Sequence, residues 1–191
     1  MQRILLLDNY DSFTYNLYHY VEAFDNVQVD VFRNNKVDIE AIDEYDGIIL
    51  SPGPGLPHES GLLIPIIERY KETKRILGVC LGQQAIAEVF GGELENLNTV
   101  YHGVSTPMKI MEPSHYIFSG LPNKVDVGRY HSWVVSHTNF PDCLKIEAVD
   151  DFGRIMALSH KELDICGVQF HPESILTPTG KDVIFNWLSR L

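Results

Sequence analysis

The order in which strand-like and helix-like segments alternate through the first half of the chain restricts its fold more than any other feature. Arg3–Leu7 is a continuous apolar run, as expected of a strand buried on both faces. A helical pattern over Phe13–Phe24 follows, with Leu17, Val21 and Phe24 on one face and Asp11 and Ser12 ahead of it as candidate N-caps. Val27, Val29 and Val31 alternate with polar residues and predict a second strand. A short helical pattern at Ile39–Ile42, a strand at Gly47–Leu50, a helix over Gly61–Tyr70 and a strand at Arg75–Val79 continue the series. A helix over Leu81–Phe90 then ends at Gly91-Gly92. Such βαβα order implies a parallel sheet with helices on both faces.

The second half is richer in strands. Val104–Ile110, Lys124–Tyr130, Leu144–Val149, Arg154–Ser159 and Ile165–Phe170 all have strand character, and a last helix over Lys181–Leu191 offers Val183, Ile184, Trp187 and Leu188 for packing. No internal repeat, low-complexity tract or linker interrupts the pattern. The expectation is one α/β domain spanning residues 1–191, a length that suits a single sizeable core.

Composition narrows the partners. The 26 acidic residues outnumber the 15 basic ones, and no Lys/Arg cluster stands out, which argues against a nucleic-acid partner. The apolar run Ile4–Leu7 is too short for a signal-peptide core, and no stretch approaches the roughly 20 residues of a membrane span. Cys80, Cys143 and Cys166 are widely spaced and form neither a disulfide framework nor a CxxC metal knuckle. These features read as a reduced, cytoplasmic protein.

Gly78-Val79-Cys80-Leu81-Gly82 places a cysteine between a predicted strand and a predicted helix, the context of a nucleophile elbow. On such a turn the flanking glycines relieve backbone contacts. The helix N-terminus favours a thiolate, and the Leu81 N–H points at a developing oxyanion. A lone cysteine is ordinarily a buried structural residue, and Cys143 and Cys166, which lack this context, are read that way. A cysteine nucleophile also needs a base. Val168-Gln169-Phe170-His171-Pro172-Glu173-Ser174 ends the last predicted strand, where sites form in open parallel sheets. Pro172 holds His171 extended, so an extended backbone places His171 and Glu173 on one side, and the carboxylate can orient the ring. The bland alternative is a surface loop with an incidental His and Glu among eight histidines. Metal binding is disfavoured because no second ligand stands at i+3 or i+4 from His171. Gly53-Pro54-Gly55 lacks both phosphate-loop patterns and by itself is a plain turn; beside an elbow its N–H groups could supply a second oxyanion donor.

Together, Ser51–Gly55, Gly78–Gln84 and Val168–Ser174 resemble the class I (triad) glutamine amidotransferases, in the family's order and spacing across essentially the whole chain. Within that class, Asp8–Leu17, His102-Gly103 and Arg129–Ser132 look like segments of anthranilate synthase component II and of the para-aminobenzoate synthase glutaminase. The resemblance implies a flavodoxin-like, doubly wound, mostly parallel sheet with additional antiparallel strands in the second half. It implies Cys80 as nucleophile, His171 as base and Glu173 as its orienter, with Gly53 and Leu81 donating to the oxyanion. It further implies contacts to L-glutamine from Gly53, Pro54, Gly55, Gln84, Ser132 and Trp133. The sequence departs from the pattern at Gln83, where His or Met is common, and at Trp133, where Leu is common. The expected reaction needs no metal or organic cofactor. Its ammonia is expected to pass to a chorismate-using synthase subunit, for anthranilate first, with para-aminobenzoate or service to both as the alternative.

Overall fold

A computed structural model describes residues 1–190 of the chain; the end of the predicted C-terminal helix, Leu191, lies outside the described residues. The first half contains β1 (Gln2–Asp8), α1 (Thr14–Glu22), β2 (Val27–Arg33), β3 (Gly47–Leu50), α2 (Leu63–Tyr70), β4 (Arg75–Val79) and α3 (Leu81–Val89). The second contains β5 (Leu94–Asn96), β6 (Val104–Ile110), β7 (Lys124–Arg129), β8 (Trp133–Val135), β9 (Leu144–Asp150), β10 (Ile155–His160), β11 (Ile165–Val168) and α4 (Gly180–Leu188).

Among the described residues, nine strands form one sheet in the order β2-β1-β3-β4-β11-β10-β9-β6-β7. The first five are parallel, in flavodoxin-like order, and the remaining four extend the sheet antiparallel. The expected doubly wound fold with antiparallel strands in the second half is therefore what the chain adopts. Strand pleating explains the two-sided core. Ile4 and Leu6 face α1 and α4, joining Leu17, Val21, Ile184 and Trp187. Leu5 and Leu7 face α2 and α3, joining Ile66, Ile67, Tyr70 and Ile86. Both faces are dry, which is why Ile4–Leu7 reads as an unbroken apolar run.

Three expectations need correction, and one pair of short strands was not foreseen. Helix α1 opens after Phe13, and neither Asp11 nor Ser12 caps it; Asp11 Oδ2 instead accepts from the Phe13 N–H at 2.7 Å, closing a side-chain turn one step early. The pattern at Ile39–Ile42 is a 3₁₀ turn over Glu40–Glu44. The short strands β5 and β8 pair with each other as a separate ribbon; at three residues each, neither shows a legible alternation. Finally, β11 stops at Val168, and the segment beyond it turns rather than extends. Among the described residues, no helix is long and apolar enough to cross a membrane.

Candidate active site

Register places the site. β4 lies between β3 and β11, with Leu50 opposite Gly78 and Val168 opposite Val79. All three strands run the same way, so the loops leaving their C-terminal ends converge. The sequence between Leu50 and the Pro-Gly loop, the elbow after Val79 and the segment after Val168 meet at one edge of the sheet. Cys80 is tied into this junction by its N–H, which donates to the Val168 carbonyl at 2.7 Å.

Cys80 has φ 52° and ψ −100°, a left-handed conformation for a residue with a Cβ. Such a conformation costs about 1–3 kcal/mol and persists only where its surroundings enforce it. They do so by contact. A Cβ on Gly78 would lie 2.5 Å from the Gly82 carbonyl carbon, and one on Gly82 would lie 2.6 Å from the Leu50 carbonyl oxygen. The two glycines let α3 press onto β3 and β4, and that pressure forces the tight turn. Leu81 opens α3, so its N–H has no intrahelical acceptor. The Gly53 N–H makes no backbone hydrogen bond among the described residues, and a Cβ on Gly53 would lie 2.5 Å from the Asn9 carbonyl oxygen and 2.9 Å from Leu81 Cδ2.

The second partner of Cys80 arrives from β11. His171 and Glu173 are buried, and His171 Nδ1 lies 2.6 Å from Glu173 Oε1. The expected extended arrangement is replaced by a turn in which the Ser174 N–H donates to the His171 carbonyl at 3.2 Å. Pro172 occupies the second position of that turn, where its fixed φ is favoured, and the turn folds the carboxylate back onto the ring. Among the described residues His171 Nε2 has no hydrogen-bond partner with aligned geometry, and it faces the Cys80 side of the site. The ring is packed by Tyr130 at 4.8 Å and by Phe13, edge-on, at 6.3 Å between centroids. Burial alone would disfavour a charged imidazole. Contact with Cys80 and the bond to Glu173 overcome it and hold the His171 pKa well above the ordinary range. Burial likewise pushes the Cys166 thiol up, away from reactivity, whereas Cys143 is half-buried.

A cavity of about 470 Å³ opens over Cys80 and Leu81, lined among others by Gly53, Pro54, Gly55, Gln84, Ser132 and Trp133. The residues expected to contact a substrate thus share one wall with the candidate nucleophile. An adjoining cleft of about 300 Å³ also reaches Cys80, past Tyr10, Asp11, Ser12, Phe13, His102 and His171. Gln83 points elsewhere: it is fully buried against Gly167, and neither of its amide atoms has a partner among the described residues.

Two further groups escaped the sequence reading. His131 is buried, and Arg129 Nε donates to its Nε2 at 3.1 Å while Nδ1 lies 3.0 Å from the Trp133 carbonyl. Because Nε2 must accept, Nδ1 carries the proton and donates to that carbonyl. Burial, with the adjacent Arg129 charge, lowers the His131 pKa to about 3, so the ring stays neutral. Arg129 in turn is paired with Asp150 at 2.8 Å and stacked on Tyr101 at 3.7 Å. Gln169, also buried, donates from Nε2 to Cys80 Sγ at 3.4 Å. Its place directly before Phe170-His171 was the available signal, but nothing in the sequence says which way a strand-end side chain turns.

Comparison with known proteins places this geometry in context. The family description "Glutamine amidotransferase class-I" matches residues 5–191. Anthranilate synthase component 2 of Pseudomonas aeruginosa is 42% identical over 98% of this chain and 95% of its own length. Aminodeoxychorismate synthase component 2 of Escherichia coli is also 42% identical, over 98% of this chain and 100% of its own. The chain spans only 32% of another relative, the bifunctional protein TrpGD of Thermotoga maritima, at 42% identity. Among solved structures, a Thermoplasma acidophilum protein described as a GMP synthase subunit superposes with a TM-score of 0.87 at 28% identity, over 99% of this chain and 93% of that one.

Proposed function

We propose, from the premise that this chain belongs to the class-I glutamine amidotransferase family, that it is the glutaminase subunit of a chorismate-using synthase, anthranilate synthase in the first reading. The observation that carries the chemistry is the buried His171–Glu173 pair beside a cysteine held left-handed at the head of α3. Thiolate Cys80 attacks the side-chain amide carbon of L-glutamine. The Leu81 and Gly53 N–H groups receive the oxyanion; losing one such donor typically costs ~10²–10³ in rate. His171, charged and held by Glu173, gives its proton to the departing nitrogen, which leaves as ammonia. The neutral ring then takes a proton from water, whose oxygen attacks the glutamyl thioester. Glutamate is released, and the thiolate and imidazolium are restored. Gly53, Pro54, Gly55, Gln84, Ser132 and Trp133 bind the glutamine, and no metal or organic cofactor takes part.

The ammonia acceptor is bound by a partner synthase subunit. The Asp8–Ser12 turn and His102-Gly103 are the proposed rim of the docking face, supported by the position of Tyr10, Asp11, Ser12 and His102 on the cleft that reaches Cys80. A second reading, aminodeoxychorismate synthase, is favoured by a relative of equal identity that bears that name, and service to both synthases by a Bacillus subtilis relative, 41% identical, named for both. The test supplies the purified chain to each synthase with chorismate. Glutamine-dependent anthranilate formation supports the first reading and aminodeoxychorismate formation the second. Cys80→Ala is expected to abolish glutamine-dependent synthesis while ammonia-dependent synthesis survives. Retention of glutamine use by Cys80→Ala would sink the mechanism.

A further inference from the structure

We infer that Gln169 is a hydrogen-bond donor to the Cys80 thiolate, held in that orientation by a side-chain relay that begins at a backbone carbonyl. The inference rests on Cys80 being the nucleophile proposed above. The orientation of a buried amide is ordinarily ambiguous, since its O and N ends are nearly alike in shape. Here it is not. The Trp133 carbonyl can only accept. It receives the His131 Nδ1–H and, at 2.9 Å, Gln84 Nε2. Gln84 must therefore present its NH₂ end. The same nitrogen lies 3.2 Å from Gln169 Oε1. Turning Gln169 over would set two NH₂ groups against each other, so its oxygen stays with Gln84 and its NH₂ faces Sγ at 3.4 Å.

Gln169 is fully buried and Gln84 nearly so, which keeps water from substituting for either bond. A donor aimed at sulfur favours the charged form over the neutral one. It also restrains the Sγ rotamer on a residue whose backbone is already constrained. The relay ties the sulfur to Trp133, whose backbone borders the cavity, so one chain of bonds sets both the nucleophile and the pocket wall.

The experiment measures the rate of Cys80 alkylation by iodoacetamide across pH, site by site, in the full chain and in Gln169→Leu, Gln169→Glu and Gln84→Met. Gln169→Leu is expected to move the midpoint up by about one to two pH units, the worth of a hydrogen bond to a charged group. Gln169→Glu is expected to move it further, because a carboxylate then faces the thiolate. A purely structural role predicts the reverse order, since Glu is closest to Gln in shape. Gln84→Met leaves Gln169 in place but frees its amide, and is expected to give a smaller shift of the same sign. A profile for Gln169→Glu at or below that of Gln169→Leu overturns the inference. If the Gln169 variants do not fold, an unshifted Gln84→Met profile overturns it instead. Alkylation reports on this bond whether or not Cys80 is the nucleophile, so glutaminase activity surviving in Cys80→Ala would end the proposed mechanism without being mistaken for failure of the relay.

Discussion

At the scale of single residues, strain and function coincide at Cys80. Its left-handed backbone conformation is disfavoured by the Cβ, and the cost is local. Comparing two inactive variants isolates it. Cys80→Gly and Cys80→Ala both lack the thiol, but only Ala keeps the Cβ. Glycine's greater freedom in the unfolded chain offsets part of the relief, by roughly 0.4–1 kcal/mol. Cys80→Gly is still expected to be the more stable of the two, by about 1 kcal/mol, in urea unfolding at neutral pH. Equal midpoints would show that the turn is not strained. The motif Gly78–Gly82 was legible in the sequence as an elbow because its glycines bracket the cysteine. The His171–Glu173 pair was legible as a pair but not as a turn, because whether a strand continues past Val168 depends on what the neighbouring chain can still pair with.

At the scale of elements, the site depends on how closely α3 approaches β3. Gly82 is the contact point, and a Cβ there would sit 2.6 Å from the Leu50 carbonyl oxygen and 2.8 Å from the Leu50 Cβ. Backbone cannot yield as a side-chain tip can. Gly82→Ala is therefore expected to lift the N-terminus of α3, moving the Leu81 N–H off the oxyanion position. Overpacking of this kind costs about 1–3 kcal/mol of stability, and the displaced donor about 10²-fold in glutamine turnover. Thermal unfolding and steady-state kinetics on the same preparation check both. A variant with normal turnover would show that the helix position is not what aligns the donor. Strands β5 and β8 belong to this scale too: their pairing carries the Leu97 N–H to the Ser132 carbonyl at 2.7 Å and so holds the far wall of the pocket.

At the scale of the whole molecule, buried titratable groups couple the site to folding. His131 takes up a proton near pH 3 when folded but near its ordinary value, about 6.5, once unfolded. Between those values unfolding binds a proton, so stability falls as pH drops, by up to ~1.4 kcal/mol per pH unit. His171 has the opposite sign. Its folded pKa is raised, so its contribution is complete below the unfolded value and is lost as pH rises through the folded one. The His131 contribution is checked by urea midpoints of the chain and of His131→Gln from pH 7 to pH 4. The unsubstituted chain is expected to lose stability relative to the variant as pH falls below about 6.5. Parallel curves would mean that His131 is not kept neutral by the fold.

What the sequence by itself determined is what repeats or is local. The apolar period and the βαβα order dictate a doubly wound sheet, because a strand dry on both faces has no other stable surroundings. The glycines around Cys80 signal an elbow, because a side chain at either position would collide with backbone across the strand–helix junction. What only the tertiary structure decided is what depends on register and on partners distant in the chain. The three loops converge because Leu50, Gly78 and Gly167 are aligned across β3, β4 and β11. The neutrality of His131 depends on its burial and on the adjacent Arg129 charge, and the orientation of Gln169 depends on a carbonyl at Trp133. Hydrogen-bond direction is set by which partners burial leaves within reach, and a linear pattern holds no record of that until the chain has closed around them.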